Sequence, residues 1–375
     1  MHGIIFIRVQ IDIKGHLKVI ALSTISYIIT TLVFLPLVRN NYWIFRSLEY
    51  PRFQKFILAI CCLIVWGIYS AIFQRYDLIA IAVLTVATIF LTAKIWPYTK
   101  LCSTEVKSLK SFDKNRSIKV FAANVLQDNR QYDRILQQIK QTDPDIVFLL
   151  ETDKGWADGV KELKSLYQYS LEEPIDNTYG MLFYCRYEVI KAEIKYIVKD
   201  DIPSLDAIIA LPDGTHVQVW GLHPEPPVPN ESLTSTAKDK ELMKVALKAK
   251  DCKLPVIVMG DLNDVAWSYT TSLFRRTSKL LDVRKGRGFY STFSAKSRLI
   301  RFPLDYIFCS NDFGLVNMVR LPYNGSDHFP ILTHLVYHPP IKKEQPEQQP
   351  DADDIQDAVE ISQKQVEPDS QMRDK

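Results

Sequence analysis

Three long apolar runs dominate the front of the chain, at residues 19–38, 56–74 and 78–96, and only the third contains a charge, Lys94 near its end. A helix needs about 20 apolar residues to cross roughly 30 Å of hydrocarbon, so the runs predict three transmembrane helices. Core helices of a soluble domain are the alternative, but such helices normally keep a polar stripe. A cleaved signal peptide is disfavoured because two more apolar runs follow the first.

Between residues 118 and 338, short apolar runs alternate with segments of helical periodicity, a pattern typical of one α/β domain. Several runs are apolar on both faces, as in strands that are covered on both sides. An amphipathic helix is predicted over 132–143, with further helices over 154–167 and 235–250. The predicted strands begin at Ile118, Asp145, Gly180, His216, Val256, Leu304 and Ile331.

The segments directly before and after this domain are polar. Residues 1–98 form the predicted transmembrane region, and residues 99–117, with their lysines and serines, are interpreted as a linker. From Pro339 the chain turns to Pro, Gln, Glu and Asp, with too little apolar material to form a core. Residues 339–375 are therefore predicted to be a disordered tail.

Charge and cysteine content narrow the picture modestly. A formal net charge of +3 does not by itself indicate a nucleic-acid partner. The six cysteines form no CxxC pair, which argues against a zinc ribbon or a disulfide scaffold. With three spans, the first loop and the C-terminal domain share one side of the membrane. Lysines and arginines on that side favour a cytoplasmic domain, although the basic N-terminus points the other way.

Polar residues stand at the downstream ends of four predicted strands: Asn124, Glu151 and His223 each end one, and Asp261 with Asn263 ends another. In an open α/β sheet, ligands bind in the crevice at this edge. Side chains two positions apart on a strand point to one face, so Asp261 and Asn263 are expected to address one bound group together. The alternative is a turn cap, since Asp and Asn favour turns.

A histidine and two further aspartates complete the set. Asp327-His328 follows Gly325-Ser326, a flexible turn that can bring an imidazole to the same edge. Asp305 lies in a separate predicted strand and is placed to orient that imidazole, since a carboxylate partner raises the basicity of histidine. An ordinary turn histidine and a structural buried aspartate are the alternatives.

These residues stand in seven motifs that resemble the endonuclease/exonuclease/phosphatase family, which includes deoxyribonucleases, abasic-site endonucleases, sphingomyelinases and inositol polyphosphate phosphatases. The motifs are AANV, LLETD, YGMLFYCR, GLHPEPP, GDLND, LDYIF and GSDHFP. Each motif alone is weak, but seven in family order, across residues 117–338, are hard to produce by chance. The runs DNTYGM, HPEPP and GDLNDVAWS also resemble bacterial membrane proteins with three N-terminal spans before this domain.

The resemblance implies a fold, an activity and a metal. The fold is two packed mixed β-sheets flanked by helices, a deoxyribonuclease-like four-layer α/β sandwich, here preceded by three transmembrane α-helices. The activity is Mg²⁺-dependent hydrolysis of phosphate esters, with Mn²⁺ able to replace Mg²⁺. The family suggests Glu151 as the principal metal ligand, Asn124 beside it, and Asp327 at the metal or its surroundings, as suits a cation that takes few protein oxygens.

Other roles also follow from the resemblance. Asp261 would position or deprotonate the attacking water, Asn263 would hold a phosphate oxygen, and His328 supported by Asp305 would stabilise charge or act as a base. His223 would contact substrate and protonate the leaving oxygen, with simple packing in its proline-rich loop as the alternative.

Three further features bear on the substrate. Arg186 is a candidate substrate contact, with a structural arginine as the alternative. Some nuclease members have Asp where this chain has Leu126, so a second carboxylate ligand from that motif is not expected. A basic stretch is either a solvated face or a site for anionic substrate or lipid headgroups. It comprises Arg275, Arg276, Lys279, Arg284, Lys285, Arg287, Lys296, Arg298 and Arg301.

The leading hypothesis is a membrane-anchored, Mg²⁺-dependent phosphoesterase of the bacterial inner membrane that hydrolyses a phosphodiester or phosphomonoester by metal-assisted attack of water. Three spans imply the lipid bilayer as a partner and favour a phospholipid headgroup slightly over nucleic acid as substrate. The sequence points to no protein partner. A Mg²⁺-dependent endo- or exonuclease is the alternative, and a non-catalytic membrane scaffold is a remote one.

Overall fold

The computed structural model describes residues 2–366, with side chains from residue 15 onward. The chain divides into two units, one up to Pro97 and one from Tyr98. Among the described residues, three helical segments are long and apolar enough to cross a membrane, at Gly15–Leu37, Arg52–Phe73 and Leu78–Tyr98. The prediction of three such helices is confirmed, with limits that agree to about one helical turn.

The first unit is helical. Its α-helices are α1 (His2–Phe34), α2 (Trp43–Ser47), α3 (Arg52–Phe73) and α4 (Leu78–Ile95), with 3-10 turns at Leu35–Leu37 and Trp96–Tyr98. Several buried polar side chains of this unit bond to one another or to carbonyls: Trp66 Nε1 donates to Ser26 Oγ at 2.9 Å, and Lys55 Nζ donates to the Leu32 carbonyl at 2.7 Å. Such bonds suit an apolar solvent, where polar groups must be satisfied internally.

The second unit is built on two six-stranded sheets. Their strands are β1 (Ser117–Asn124), β2 (Ile146–Leu150), β3 (Tyr169–Glu173), β4 (Met181–Cys185), β5 (Glu188–Lys195), β6 (Ser204–Ala210), β7 (His216–Leu222), β8 (Val256–Asp261), β9 (Leu281–Asp282), β10 (Asp305–Cys309), β11 (Phe313–Arg320) and β12 (Ile331–Tyr337). The first sheet has the order β11-β12-β1-β2-β4-β3, and the second has the order β5-β6-β7-β8-β10-β9.

Helices connect and flank the strands. They are α5 (Tyr132–Thr142), α6 (Lys154–Gly159), α7 (Leu163–Leu166), α8 (Thr236–Asp251), α9 (Tyr269–Ser278) and α10 (Ala352–Gln363), with 3-10 turns at Lys114–Arg116 and Pro339–Lys343. All seven predicted strands form, as do the helices predicted at α5 and α8. The helix predicted over 154–167 is instead two short helices. Half-exposed strands such as β5 were not predicted because their sequences lack a continuous apolar run.

Each sheet contains one parallel pair, formed by a strand, a crossover helix and a second strand. These units are β1-α5-β2 and β7-α8-β8, and the other pairs are antiparallel. Alternation along β1 explains the layers: Val120 and Ala122 face the core between the sheets, while Phe121 and Ala123 pack with the apolar face of α5. The prediction of two packed mixed sheets flanked by helices is confirmed.

The prediction of a disordered tail from residue 339 is wrong for much of that segment. Helix α10 packs against α8 and α9. Asp351 and Asp354 form a capping box at its start, and Arg276 binds Asp354 through three bonds of 2.8–3.0 Å. This helix is stabilised by a cap and by ion pairs more than by an apolar stripe. Its polar sequence therefore did not predict a helix. Residues 367–375 lie outside the described residues.

The segment interpreted as a linker, 99–117, belongs to the fold of the second unit. Val106 is fully buried in the core between the sheets. Glu105 accepts hydrogen bonds from Arg275 at 2.5 Å and from the Asp282 backbone N–H at 2.7 Å. The compact unit therefore begins near Tyr98 and not at residue 118.

Candidate active site

The candidate active site lies where the two parallel strand pairs end, one pair in each sheet. Asn124 is the last residue of β1, Glu151 follows β2, and Asp261 is the last residue of β8. The Asn124 amide donates to Glu151 Oε1 at 2.6 Å and to Asp261 Oδ2 at 3.2 Å. The predicted strand-end residues thus meet at an edge that two sheets share, and not at the edge of one open sheet.

His328 and two carboxylates form the second part of the site. Asp305 is the first residue of β10 and lies opposite Asp261 in the antiparallel register of β8 and β10. His328 Nδ1 is 2.7 Å from Asp305 Oδ2, and Nε2 is 3.5 Å from Asp261 Oδ2. All three side chains are buried. The imidazole therefore connects Asp305 with the group around Asn124.

Ser326 and Phe293 hold the histidine in place. Ser326 Oγ accepts from the His328 backbone N–H at 3.0 Å and donates to the Asn124 carbonyl at 2.8 Å. The Phe293 ring lies 5.0 Å from the imidazole, centroid to centroid. We did not single out either residue from the sequence, although Ser326 stands inside the GSDHFP motif and was the available signal.

The backbone is strained around the site. Glu151, Asn263 and Leu126 have positive φ angles of 56°, 49° and 60°, a region that costs side-chain-bearing residues about 1–3 kcal/mol each. Gly260 has φ 131°, and a Cβ there would lie 2.0 Å from the carbonyl oxygen of Leu222. Such outliers persist where the surrounding structure over-determines them, and they commonly mark functional sites.

Asn263 lies in the turn after β8, not on the strand, so the expectation of two side chains on one strand face is wrong. Its backbone N–H donates to Asp261 Oδ1 at 2.9 Å, and its amide donates to the Pro224 carbonyl at 3.0 Å. Asp261 therefore caps the turn through one oxygen, as the alternative proposed. Its other oxygen faces Asn124 and His328.

Burial and neighbouring charges shift the pKa values of the site. Burial raises the pKa of Glu151 to about 7, against the opposing hydrogen bond from Asn124. Burial also raises the pKa of Asp261, partly offset by His328. Burial by itself lowers the pKa of His328, but the carboxylates of Asp305 and Asp261 outweigh it and raise the value to about 10. The imidazole is thus cationic at neutral pH, and Glu151 and Asp261 bind protons more readily than ordinary carboxylates do.

The residues around Glu151 fit a hard divalent cation. Asp327 Oδ1 is buried and has no hydrogen-bond partner among the described residues, and its negative charge adds to burial in raising the pKa of Glu151. A bound cation would give the Asp327 oxygen a partner and would favour the ionised form of Glu151, and Asn124 offers a further oxygen ligand.

A second group could also hold an ion by geometry. The ligand atoms of Asp261, Asp305 and His328 lie within 4.8 Å of one another. In this group both ring nitrogens already face carboxylates, and a cationic imidazole has two donors and no acceptor. The set around Glu151 is therefore the better candidate.

His223 is fully enclosed just beyond β7. It is 2% exposed, its ring lies 5.2 Å from that of Tyr179, and its Nδ1 has no hydrogen-bond partner among the described residues. Burial lowers its pKa to about 3, assisted by the positive charge of His328. At neutral pH the ring is uncharged, so it can donate a hydrogen bond but has no spare proton to give a leaving oxygen.

Arg186 does not lie at the site. Its guanidinium pairs with Asp143 at 2.5 Å and with Asp145 at 3.4 Å, at the amino end of β2. The five residues of β2 separate this end from Glu151 by roughly 17 Å. Because β4 runs antiparallel to β2, the end of its YGMLFYCR motif points to the opposite edge. The prediction of a substrate contact at Arg186 is wrong, and the structural alternative holds.

Asp264, the last residue of GDLND, positions the turn that carries Asn263. Lys238 Nζ and Ser268 Oγ donate to its carboxylate at 2.9 and 2.7 Å, and its carbonyl accepts from the Tyr306 hydroxyl at 2.8 Å. Nothing in the motif distinguishes Asp264 from its neighbours, because its partners Lys238 and Tyr306 are distant along the chain.

Two mixed sheets that meet at a cluster of carboxylates and an imidazole define the deoxyribonuclease-like class of α/β sandwich. The chain belongs to the Endonuclease/Exonuclease/phosphatase family, whose model matches residues 117–328. Members of this family are generally metal-dependent phosphoester hydrolases. Membership therefore supports phosphoester hydrolysis as the class of activity.

Two solved structures of TDP2 share the fold, and a third structure gives a weaker match. D. rerio TDP2 humanized by 14 mutations is 17% identical with a TM-score of 0.51, covering 59% of this chain and 99% of that one. D. rerio TDP2 complexed with single strand DNA product is 18% identical with a TM-score of 0.50, covering 58% and 98%. The human Nocturnin catalytic domain with bound sulfate is 16% identical with a TM-score of 0.49, covering 60% and 96%. A comparison with curated proteins finds no match.

Proposed function

We propose that this protein is a membrane-anchored, Mg²⁺-dependent phosphoesterase that hydrolyses a phosphodiester or phosphomonoester by attack of water. The observation that carries the proposal is the Asn124 amide between Glu151 and Asp261, with the His328–Asp305 pair beside them. This arrangement would join a site for a cation, a base and a cationic imidazole in one cluster at the edge that the two sheets share. The three apolar helices supply the anchor.

Glu151, with Asp327 and Asn124, would hold the cation. Support comes from the raised pKa of Glu151, caused first by burial, and from the unpartnered buried oxygen of Asp327. Mg²⁺ or Mn²⁺ bound there would polarise a phosphoryl oxygen and offset the charge that develops on it. The other carboxylates of the cluster, Asp261 and Asp305, already face the cationic imidazole of His328.

Asp261 and His328 would carry the proton and the charge. Burial raises the pKa of Asp261 towards neutrality, which suits a general base that removes a proton from the attacking water. His328, kept cationic by Asp305 and Asp261, would donate a hydrogen bond to a phosphoryl oxygen and stabilise its negative charge.

Asn263 and His223 would contact the substrate. The Asn263 amide sits at the turn after β8, where it would exchange its bond to Pro224 for a phosphate oxygen. His223 would act as a neutral hydrogen-bond donor to the leaving oxygen, since burial holds its pKa near 3. The leaving oxygen would then take its proton from solvent water.

The test uses the full chain in lipid nanodiscs with four substrates: a phospholipid, a soluble phosphodiester, a soluble phosphomonoester and single-stranded DNA. Hydrolysis with Mg²⁺ and its loss with EDTA are expected. Asp261→Asn should lower kcat/KM by about 10²–10⁴, as for loss of a general base. The matched control is Asp145→Asn, at the opposite edge of the first sheet, which keeps an acceptor for the Lys119 N–H. Equal activity of wild type and Asp261→Asn would refute the assignment, and cleavage of DNA alone would favour the nuclease.

The catalytic unit is proposed to face the cytoplasm of a bacterial inner membrane, on the distribution of lysines and arginines around the apolar helices. A C-terminal fusion to green fluorescent protein or alkaline phosphatase tests this, because the first is fluorescent inside and the second is active outside. The fusion belongs after residue 375, since α10 packs on the domain. Phosphatase activity without fluorescence would reverse the orientation.

A further inference from the structure

The loop over residues 291–303, which we call the 291–303 loop, exposes two adjacent large apolar side chains. Leu299 is 85% exposed and Ile300 is 57% exposed, whereas most large apolar residues of the second unit are buried. Isolated exposed apolar residues are common on protein surfaces. Two adjacent ones in one loop are less so, and together they form an exposed apolar patch, which we call the apolar tip.

Cations flank this apolar tip. Lys296 and Arg298 are exposed, and neither has a carboxylate within ion-pair distance among the described residues. Arg301 lies with its guanidinium 5.0 Å from the centre of the Phe329 ring. The loop contains no Asp or Glu. Its surface is therefore apolar at the tip and positive around it.

The rest of the basic stretch is bonded within the second unit. Arg284 is fully buried against Asp282, Arg275 and Lys285 both pair with Glu105, and the other members bond to acids or carbonyls of the same unit. Arg284 therefore does not face an anionic surface. Within the basic stretch, Lys296 and Arg298 are the members that are exposed and have no bond to an acid or a carbonyl among the described residues.

The base of this loop is bonded to the candidate active site. The Ala295 N–H donates to the Asp327 carbonyl at 2.6 Å, and Phe293 forms a β-bridge with His328. Thr292 Oγ accepts from the backbone N–H of Asp305 at 3.2 Å. The tip therefore projects from the same edge that carries the imidazole and its carboxylates.

We propose that the 291–303 loop inserts Leu299 and Ile300 into the surface of an anionic bilayer, with Lys296 and Arg298 at the lipid headgroups. This inference rests on the membrane anchoring proposed above. An apolar tip with basic neighbours suits such an interface, where apolar groups leave water and cations meet acidic headgroups. The occupant is a lipid surface because the same chain carries three helices apolar enough to span one. Insertion would bring the active-site edge to the membrane surface.

The experiment places an environment-sensitive fluorophore on the tip of the full chain in nanodiscs. Leu299→Cys is labelled in a background where the cysteines that are not buried, Cys61, Cys102 and Cys252, are changed to Ser. The matched control is Leu166→Cys. Leu166 lies just before β3. Tyr169 of β3 pairs with Cys185 of β4, which pairs in turn with Ile146 at the amino end of β2. The control position therefore lies at the edge of the sheet opposite the candidate active site.

The expected result is a blue shift at position 299 and quenching by acyl-chain nitroxide lipids in discs of phosphatidylglycerol, with a weaker effect in phosphatidylcholine and none at position 166. Lys296→Ala with Arg298→Ala should lower the insertion constant by roughly 30-fold, at about fivefold per cation. Lys161→Ala with Lys164→Ala, near Leu166, should leave it unchanged.

The proposal is overturned if the label at position 299 stays in water in both lipids, or if both label positions respond alike. A response to single-stranded DNA in neutral discs, without one to anionic lipid, also overturns it and assigns the loop to nucleic acid. Failure of anchoring is seen separately, because a chain that does not span the bilayer is released from membranes by alkaline carbonate. A chain that resists carbonate but keeps position 299 in water refutes the loop alone.

Discussion

The Asp305–His328 pair offers a test with a distinctive pH signature. Asp305→Asn keeps the shape of the side chain but removes the charge 2.7 Å from the imidazole. A charge-assisted hydrogen bond of this kind is worth about 1.5–3 kcal/mol, so the pKa of His328 should fall by about 1–2 units from its value of about 10. The group is active as a cation, which exists below its pKa. The variant should therefore lose activity at a lower pH than the wild type.

The assay compares kcat/KM of the two proteins on a soluble phosphodiester from pH 6 to pH 10 at fixed Mg²⁺. We expect a small deficit near pH 6, where both imidazoles are cationic, growing to about 5–50-fold at pH 10. Circular dichroism confirms that the variant is folded. A deficit that is the same at every pH would show that Asp305 acts only by holding the fold, and the charge argument would fail.

Three further predictions concern stability. Burial raises the pKa of Glu241 to about 7, so the folded protein loses stability as the pH rises through that value and the carboxyl group ionises. In chemical unfolding, Glu241→Gln should leave stability unchanged below pH 4.5 and raise it by up to about 3 kcal/mol above pH 7. The absence of a gain at high pH would contradict this. Gly260→Ala should lower the free energy of unfolding by about 3 kcal/mol or more, because the new Cβ would clash with the Leu222 carbonyl. The control Gly214→Ala, at a glycine with positive φ but open space around it, should lower it by about 1 kcal/mol. Equal losses would exclude the clash as the cause. Arg276→Ala should loosen α10 and expose it to protease, whereas an unchanged cleavage rate would show that its ion pairs with Asp354 are dispensable.

Local pattern was enough to predict the apolar helices and the strands of the core. An apolar run of about 20 residues, or a short run that is apolar on both faces, is a property of neighbouring residues. The same holds for the polar residues that end β1, β2 and β8. Their meeting could be anticipated because parallel strands joined by a helix place their carboxyl ends at one edge.

Long-range pairing decided the rest. The antiparallel direction of β4 placed Arg186 at the far edge, and the turn after β8 moved Asn263 off the strand. Helix α10 exists through a cap and through Arg276, which lies 78 positions from its partner Asp354. The sequence by itself determined which residue types are available for chemistry, because periodicity is local. Only the tertiary structure determined which of them share an edge, because strand direction and partner choice depend on residues far apart in the chain.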